Sequence, residues 1–268
     1  MKRATGARGK KHGAHRGPPR TDYSTIAAYY DKARPAPSDF WISRIVDLGK
    51  VGPESDVLDV GCGTGRFTVK IARSSGARMF ALDSSSGMLK KAMARDGDRK
   101  IGWCLGDARL LPFGDSSFDC IYMTMVIHHI KSREAVLVAI LRSLRSGGRC
   151  VILTTSHSAI RAHTLRQFPG VVAIDLKRFP KIPALKTAMR KIGFKNVRSS
   201  VLKHDEGEIS VKAYCNMVRR KYISTLSLLG EDEFEAGFRV FQERMRKLYG
   251  RKMRRVLTFN FVVGEALT

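Results

Sequence analysis

Three glycines at alternate positions, Gly61, Gly63 and Gly65, close the apolar run Val57–Val60 and are followed at once by a helical stretch, Phe67–Ala72. A run short enough to be a buried strand, a turn without side chains and an immediate helix predict the opening unit of an α/β fold. The missing Cβ atoms let the backbone bend sharply and let a ligand lie against it. The helix then directs its unpaired N–H groups at that ligand. The spacing departs from the dinucleotide fingerprint G-x-G-x-x-G, because the third glycine comes one residue early. Asp59 stands two residues before the first glycine, where a carboxylate repels a pyrophosphate and attracts an ammonium group. The turn therefore suits a zwitterionic or cationic nucleotide-like ligand.

Three more segments follow at strand-like intervals. Met79-Phe80-Ala81-Leu82-Asp83 is an apolar run ending in an acid, and a helical Met88–Ala92 comes after it. Cys104-Leu105-Gly106-Asp107-Ala108 precedes Leu111-Pro112-Phe113, and Phe118–Met123 runs as a buried strand into Thr124–Ile130. With Val57–Gly65 these segments resemble the ordered motifs of class I S-adenosylmethionine-dependent methyltransferases, in particular the small-molecule enzymes with type 11 or 25 methyltransferase domains. The resemblance implies a Rossmann-like α/β fold with a seven-stranded sheet of order 3-2-1-4-5-7-6. Its last strand would be antiparallel, with helices on both faces. It also implies S-adenosyl-L-methionine as cofactor and S-adenosyl-L-homocysteine as product. By the same resemblance the cofactor contacts fall on Asp59, Gly61, Cys62, Gly63, Asp83, Ser84, Met88, Gly106, Asp107, Ala108 and Thr124. Asp83 would take the ribose hydroxyls, Asp107 the adenine amino group, and Ala108 would supply a backbone contact.

Upstream, Tyr29-Tyr30-Asp31-Lys32-Ala33-Arg34-Pro35 is similar to a signature that precedes the core in several small-molecule methyltransferases. There Tyr30 and Arg34 would close over the methionine end of the cofactor, Arg34 pairing with its carboxylate. The other reading of the tyrosines is packing of a leading helix on the sheet. Thr21–Leu48 reads as helical as a whole. Residues 1–20 hold seven Lys and Arg and no acid, and read as a disordered basic tail. That tail is either an electrostatic arm for RNA or ribosomes or a solubilising extension.

The net charge of +25 draws the chain toward polyanions without naming a catalytic target. A hydrophobic fraction of 43% is that of a soluble globular protein, and no apolar run is long enough to span a bilayer. A cytoplasmic protein is the expectation. The five cysteines show no C-x-x-C spacing, so neither a zinc site nor a disulfide framework is indicated.

Domain organisation reads as a tail at 1–20 and one methyltransferase domain at 21–268. Ala135–Arg145 and Ile182–Ile192 read as helices, Asn196–Leu202 and Arg255–Val263 as the last strands. Between those strands, residues 205–252 read as a helical lid with helices over Met217–Leu229 and Phe234–Tyr249. His128 and His129, at the end of the fourth strand, are candidates for a general base where the acceptor must lose a proton. The sequence lacks the Asn-Pro-Pro-Tyr pattern of enzymes that methylate exocyclic amino groups of bases, and the Pro-Cys pair of cytosine C5 methylation. The expected activity is methyl transfer to O, C or N of a small molecule. RNA or ribosome-associated methylation is the alternative, and a non-enzymatic cofactor-binding scaffold a third reading. No oligomeric state follows from the sequence.

Overall fold

Seven strands hydrogen-bond into one sheet in a computed structural model that describes Asp31, residues 34–97 and residues 100–267. The strands are β1 (Asp56–Val60), β2 (Arg78–Asp83), β3 (Gly102–Leu105), β4 (Phe118–Thr124), β5 (Leu144–Thr154), β6 (Lys195–Ser210) and β7 (Lys252–Glu265). Their order is β3-β2-β1-β4-β5-β7-β6, as the resemblance implies. Pairings from β3 to β5 are parallel, and β7 runs antiparallel to both β5 and β6.

Residue alternation on β1 divides the core between the two faces. Leu58 and Val60 join one cluster with α4 (Arg133–Ser143) and α7 (Ile182–Ile192). Val57 joins the opposite cluster with α1 (Asp39–Gly49) and α2 (Arg66–Ser75), and α3 (Ser86–Asp96) packs there through Leu89. Burying whole strands on both faces explains the continuous apolar runs of β1, β4 and the end of β5.

The segment 205–252, expected as a helical lid, differs from its sequence reading in three respects. Residues 205–210 belong to β6 and Lys252 to β7, because the two strands continue to pair with each other beyond the sheet edge, with a register shift between Asp205 and Glu208. This ribbon folds back on α1: Trp41 donates to Glu206 Oε1 at 3.0 Å, and Phe40 stacks on His204. The helix expected over Met217–Leu229 is split into α8 (Val211–Arg219) and a 3-10 turn at Ser224–Leu228, with Lys221 at φ 51° between them. Finally, after α5 (His157–Ala162), a 3-10 turn at Thr164–Gln167 and α6 (Val171–Arg178) join α8 and α9 (Glu231–Tyr249) in a third apolar cluster, centred on Phe168, Phe234 and Phe241. This helical cluster is thus built from two stretches of chain, 165–178 and 211–253, and not from 205–252 alone.

Of the expected leading helix, only α1 falls within the described residues, and Arg34–Ser38 are not helical. Residues 1–20, Tyr29 and Tyr30 lie outside the described residues. Among those described, no helix is long and apolar enough to cross a membrane.

Candidate functional site

The glycine turn sits at the carboxyl end of β1 and leads into α2. Gly61, Gly63 and Gly65 all have positive φ, at 76°, 56° and 70°. Their surroundings separate their roles. A Cβ on Gly61 would meet Val126 Cγ1 at 2.6 Å, and one on Gly65 would meet Trp103 at 2.8 Å. A Cβ on Gly63 would meet nothing within 4 Å. Gly61 and Gly65 therefore let the turn pack against the protein, and Gly63 alone of the three faces open space.

Two carboxylates hold the turn from beneath. Asp83 Oδ2 accepts from Gly63 N at 2.8 Å and its Oδ1 accepts from Ser85 N at 2.9 Å. Burial raises the Asp83 carboxyl above its usual range, and these backbone N–H groups offset part of the rise. Ser84 is exposed, whereas Met88 is buried and its N–H donates to Ser85 Oγ as α3 begins. Asp59 is fully buried: its Oδ2 accepts from Thr68 at 2.7 Å and Tyr122 at 2.9 Å, while its Oδ1 has no hydrogen-bond partner. Desolvation pushes this carboxyl up to about 7, against the lowering effect of the two hydroxyls. Cys62 is buried beside it, and its thiol is pushed up by that burial.

The segment before α1 straps across the turn. Asp31 accepts from Thr64 Oγ1 at 2.7 Å and from Arg95 Nη2 at 2.5 Å, and Arg66 lies 3.8 Å from it. Arg34 Nε donates to the carbonyl of Tyr222 in the lid, and its charge reaches both His128 and His129. At the next strand end Gly106 N donates to Asp83 O. Asp107 is engaged by Arg109 through side chain and backbone, which holds its carboxyl below the usual range. Ala108 is half-buried in the following turn.

β4 ends at Thr124, which is half-buried, and Met125 takes a left-handed φ of 54°. Ile127–His129 form a 3-10 turn. His128 is buried, stacks on Phe179 at 3.9 Å and leaves Nδ1 without a partner. Burial, with Arg178, Arg133 and Arg34 nearby, holds it neutral, well below its ordinary value. The His129 ring is pushed down to about 3 by the same causes, burial first and then Arg178 and Arg34.

Sequence reasoning did not find Asp31, Thr64, Arg178 or Tyr222. Asp31 was legible as part of the Tyr29–Pro35 stretch; Arg178 and Tyr222 lie in segments without a motif.

Residues 58–152 match the methyltransferase domain family. The chain is 30% identical over 208 residues to the ubiquinone/menaquinone biosynthesis C-methyltransferase of Klebsiella pneumoniae, covering 65% of this chain and 82% of that protein. The chain belongs to the class I S-adenosylmethionine-dependent methyltransferases. It is accordingly a methyltransferase whose cofactor is S-adenosylmethionine. Among solved structures, the fold resembles an Anabaena variabilis protein described as a methyltransferase of an antibiotic biosynthesis pathway. The TM-score is 0.69 at 20% identity, covering 85% of this chain and 98% of that one. It also resembles the phosphoethanolamine N-methyltransferase 2 of Haemonchus contortus, solved with S-adenosyl-L-methionine. Here the TM-score is 0.62 at 15% identity, over 91% of this chain and 57% of that one. At these identities the two structures bear on the fold alone.

Proposed function

We propose that this methyltransferase acts on a small-molecule acceptor enclosed between the glycine turn, the His128–His129 turn and the lid. The observation that carries this reading is the way two arginines bind the lid to the strand ends. Arg34 reaches Tyr222, and Arg178 reaches Ser224 and Thr225 while also contacting His129. A lid gripped from two sides favours a compact acceptor over an extended polymer. The relative named for quinone biosynthesis agrees with that class without fixing the acceptor atom.

The residues at the strand ends fit the cofactor. Gly63 leaves room for a ligand against the backbone, and Asp83 is held by two N–H groups with lone pairs left to accept ribose hydroxyls. The buried Asp59 Oδ1 lacks a donor that an ammonium group, directly or through water, would supply. Arg34 stands near the histidine turn and Tyr222, and its charge suits the cofactor's carboxylate. Asp107 can receive the adenine amino group only by sharing its carboxylate with Arg109. When bound, S-adenosylmethionine supplies an electrophilic methyl carbon on a good leaving group, so the protein's task is to orient the acceptor and exclude water. Strap and lid together do both.

The test is incubation with methyl-labelled S-adenosylmethionine and a cell extract separated into RNA, protein, lipid and small-molecule fractions. Label in the small-molecule or lipid fraction is the expected result. Label confined to RNA would overturn the small-molecule reading and bring the basic segment 1–20 into the mechanism.

A further inference from the structure

The buried stripe of α9 runs off the end of its cluster. Phe234, Phe238, Phe241 and Met245 stand at helical spacing and are buried in the third cluster. Leu248 is the next residue in that register, three after Met245, yet it is 55% exposed, and Tyr249 beside it is 39% exposed. A lone exposed leucine is ordinary; what sets this one apart is its rim.

From Arg244 to Gly264 the chain carries seven Lys and Arg and no acid. Arg244 stands one helical turn before Leu248 and donates to the carbonyl of Gln167 at 3.1 Å, while Arg246 and Lys247 share the last turn of α9. Gly250, at φ 63°, ends the helix and leads into Arg251 and β7. The Arg251 carbonyl accepts from Val211 N at 2.9 Å, which brings the start of α8, with Lys212, to the same end of the cluster. Lys252 and Arg254 pair with Glu208 and Asp205 of β6. Lys212, Arg246, Lys247 and Arg251 are exposed and form no ion pair among the described residues. Cations in the last turn complement the dipole of α9, as Glu231, Asp232 and Glu233 do in the first. That accounts for Arg246 and Lys247, but not for Arg251 and Lys212, nor for the apolar pair left among them.

We propose that this end of the helical cluster docks on an anionic phospholipid bilayer, Leu248 and Tyr249 entering the interface and the surrounding cations meeting lipid phosphates. An aliphatic side chain gains by leaving water for the acyl boundary, and tyrosine favours the headgroup level, where its ring is apolar and its hydroxyl stays wet. Lys and Arg lay their stems along apolar surface and keep their charge among the headgroups. A nucleic acid would match the cations, but its bases stack on planar rings and leave Leu248 without a partner. The bilayer uses both parts of the patch. Two apolar side chains alone hold a bilayer weakly, so the contact is reversible and depends on the cations. This inference goes beyond the small-molecule reading and does not depend on it.

The test is cosedimentation of the full chain with phosphatidylcholine vesicles that contain or lack phosphatidylglycerol. Binding is expected only with phosphatidylglycerol and is expected to weaken with added salt; no binding to those vesicles overturns the inference. The combined variant Arg246→Gln, Lys247→Gln, Arg251→Gln is expected to bind ~100-fold more weakly. Leu248→Gln is expected to bind ~10-fold more weakly. Every chain keeps residues 1–20, so vesicle binding unchanged in both variants belongs to other cations and overturns the surface. All four positions are exposed, and unchanged urea midpoints check that the variants fold. Leu248→Trp reports the seating directly: brominated acyl chains are expected to quench its emission beyond any quenching of Trp41 and Trp103 in the wild type. Vesicle-bound Leu248→Trp without that extra quenching overturns the seating. A single-stranded RNA homopolymer is measured in parallel. If the triple variant weakens RNA binding while Leu248→Gln leaves vesicle binding unchanged, the patch belongs to nucleic acid and the inference falls. These measurements need neither cofactor nor acceptor, so failure here leaves the methyltransferase reading standing. Absence of small-molecule labelling by the wild type breaks that reading instead.

Discussion

Asp56 and Asp59 lie on the same five-residue strand, are 5% and 0% exposed, and are treated oppositely by the fold. At the amino end, Asp56 accepts from Arg78 Nη2 at 2.6 Å and Arg145 Nη2 at 2.7 Å. Arg145 also bridges to Asp119 at 2.6 Å, and Asp119 Oδ2 in turn accepts from Asp56 N. These cations hold the Asp56 carboxyl below its usual range, the Arg78 hydrogen bond being the largest cause. At the carboxyl end, Asp59 has two hydroxyls on one oxygen and nothing on the other, and desolvation pushes it up to about 7. An α/β sheet closes its amino end with its own side chains and leaves compensation at the carboxyl end to a ligand. The unpartnered Nδ1 of His128 and the open side of Gly63 belong to that same unfinished end.

The contrast breaks most visibly at the glycines. Gly61→Val is expected to cost about 2–4 kcal/mol of stability, because it forces a β-branched residue into a positive φ and onto Val126. Gly63→Val meets open space but still forces a β-branched residue into a φ of 56°, so it is expected to cost about 1–2 kcal/mol of stability and, beyond that, ~100-fold or more in cofactor affinity. Asp83→Ala is expected to lose ~100-fold by removing two ribose hydrogen bonds. Urea titration and calorimetry with S-adenosylmethionine separate the two quantities. Unchanged affinity in both Gly63→Val and Asp83→Ala would remove the ligand from this end of the strand.

The two aspartates themselves give the next smaller effects. Asp56→Asn is expected to destabilise by about 1–3 kcal/mol, the lower part of that range being favoured because Arg78 is 69% exposed and can return to water. Cofactor affinity should not change. Asp59→Asn keeps an oxygen for Thr68 and Tyr122 but places an amide where an ammonium partner is expected, so affinity should fall by ~10-fold. If both variants changed the same quantity, the division of labour along β1 would be wrong.

Much of this division was legible in the sequence, because it is local. The glycine spacing, Asp59 before it and Asp83 at the end of the next apolar run are read within a few residues of the turn they build. What the spacing does not reveal is which glycine faces outward, since that depends on Val126 and Trp103 arriving from the loop after β4 and from β3. The helical cluster was half legible: the 3.6-residue period of Phe234, Phe238, Phe241 and Met245 marks α9, whereas α6 is a short helix whose Val171 and Ile174 pack into the same cluster from a distant part of the chain. The β6–β7 ribbon was read too short, because its outer pairs lie beyond the sheet and carry charged residues such as Arg254 and Glu208. Arg178 had no local signal: Asp175 stands three residues before it, but His129, Ser224 and Thr225 are 46 to 49 residues away.

The smallest effect concerns pH, and its sign follows from the same contrast. His129 at about 3, His163 at about 4 and His128 well below its ordinary value are neutral in the fold but take protons near pH 6.5 when unfolded. The stability they favour is present above pH 6.5 and is lost as pH falls toward 4. Asp59 acts in the opposite sense. Its folded value of about 7 lies above the unfolded 3.8, so between those limits the fold holds a proton that the unfolded chain does not, and stability is gained as pH falls through 7. Asp83 and Asp175 are raised in the same direction. Acid loss in the wild type is therefore partly cancelled. Asp59→Asn should make stability fall more steeply between pH 7 and 5, by up to ~1.4 kcal/mol per pH unit for one proton. His129→Gln should make it shallower by a similar limit. Asp56→Asn should leave the slope in this window unchanged, because a carboxyl already lowered below 3.8 titrates beneath it. Urea unfolding at pH 5, 6 and 7 checks all three, and parallel slopes for Asp59→Asn and Asp56→Asn would show that the two ends of β1 differ in partners but not in charge.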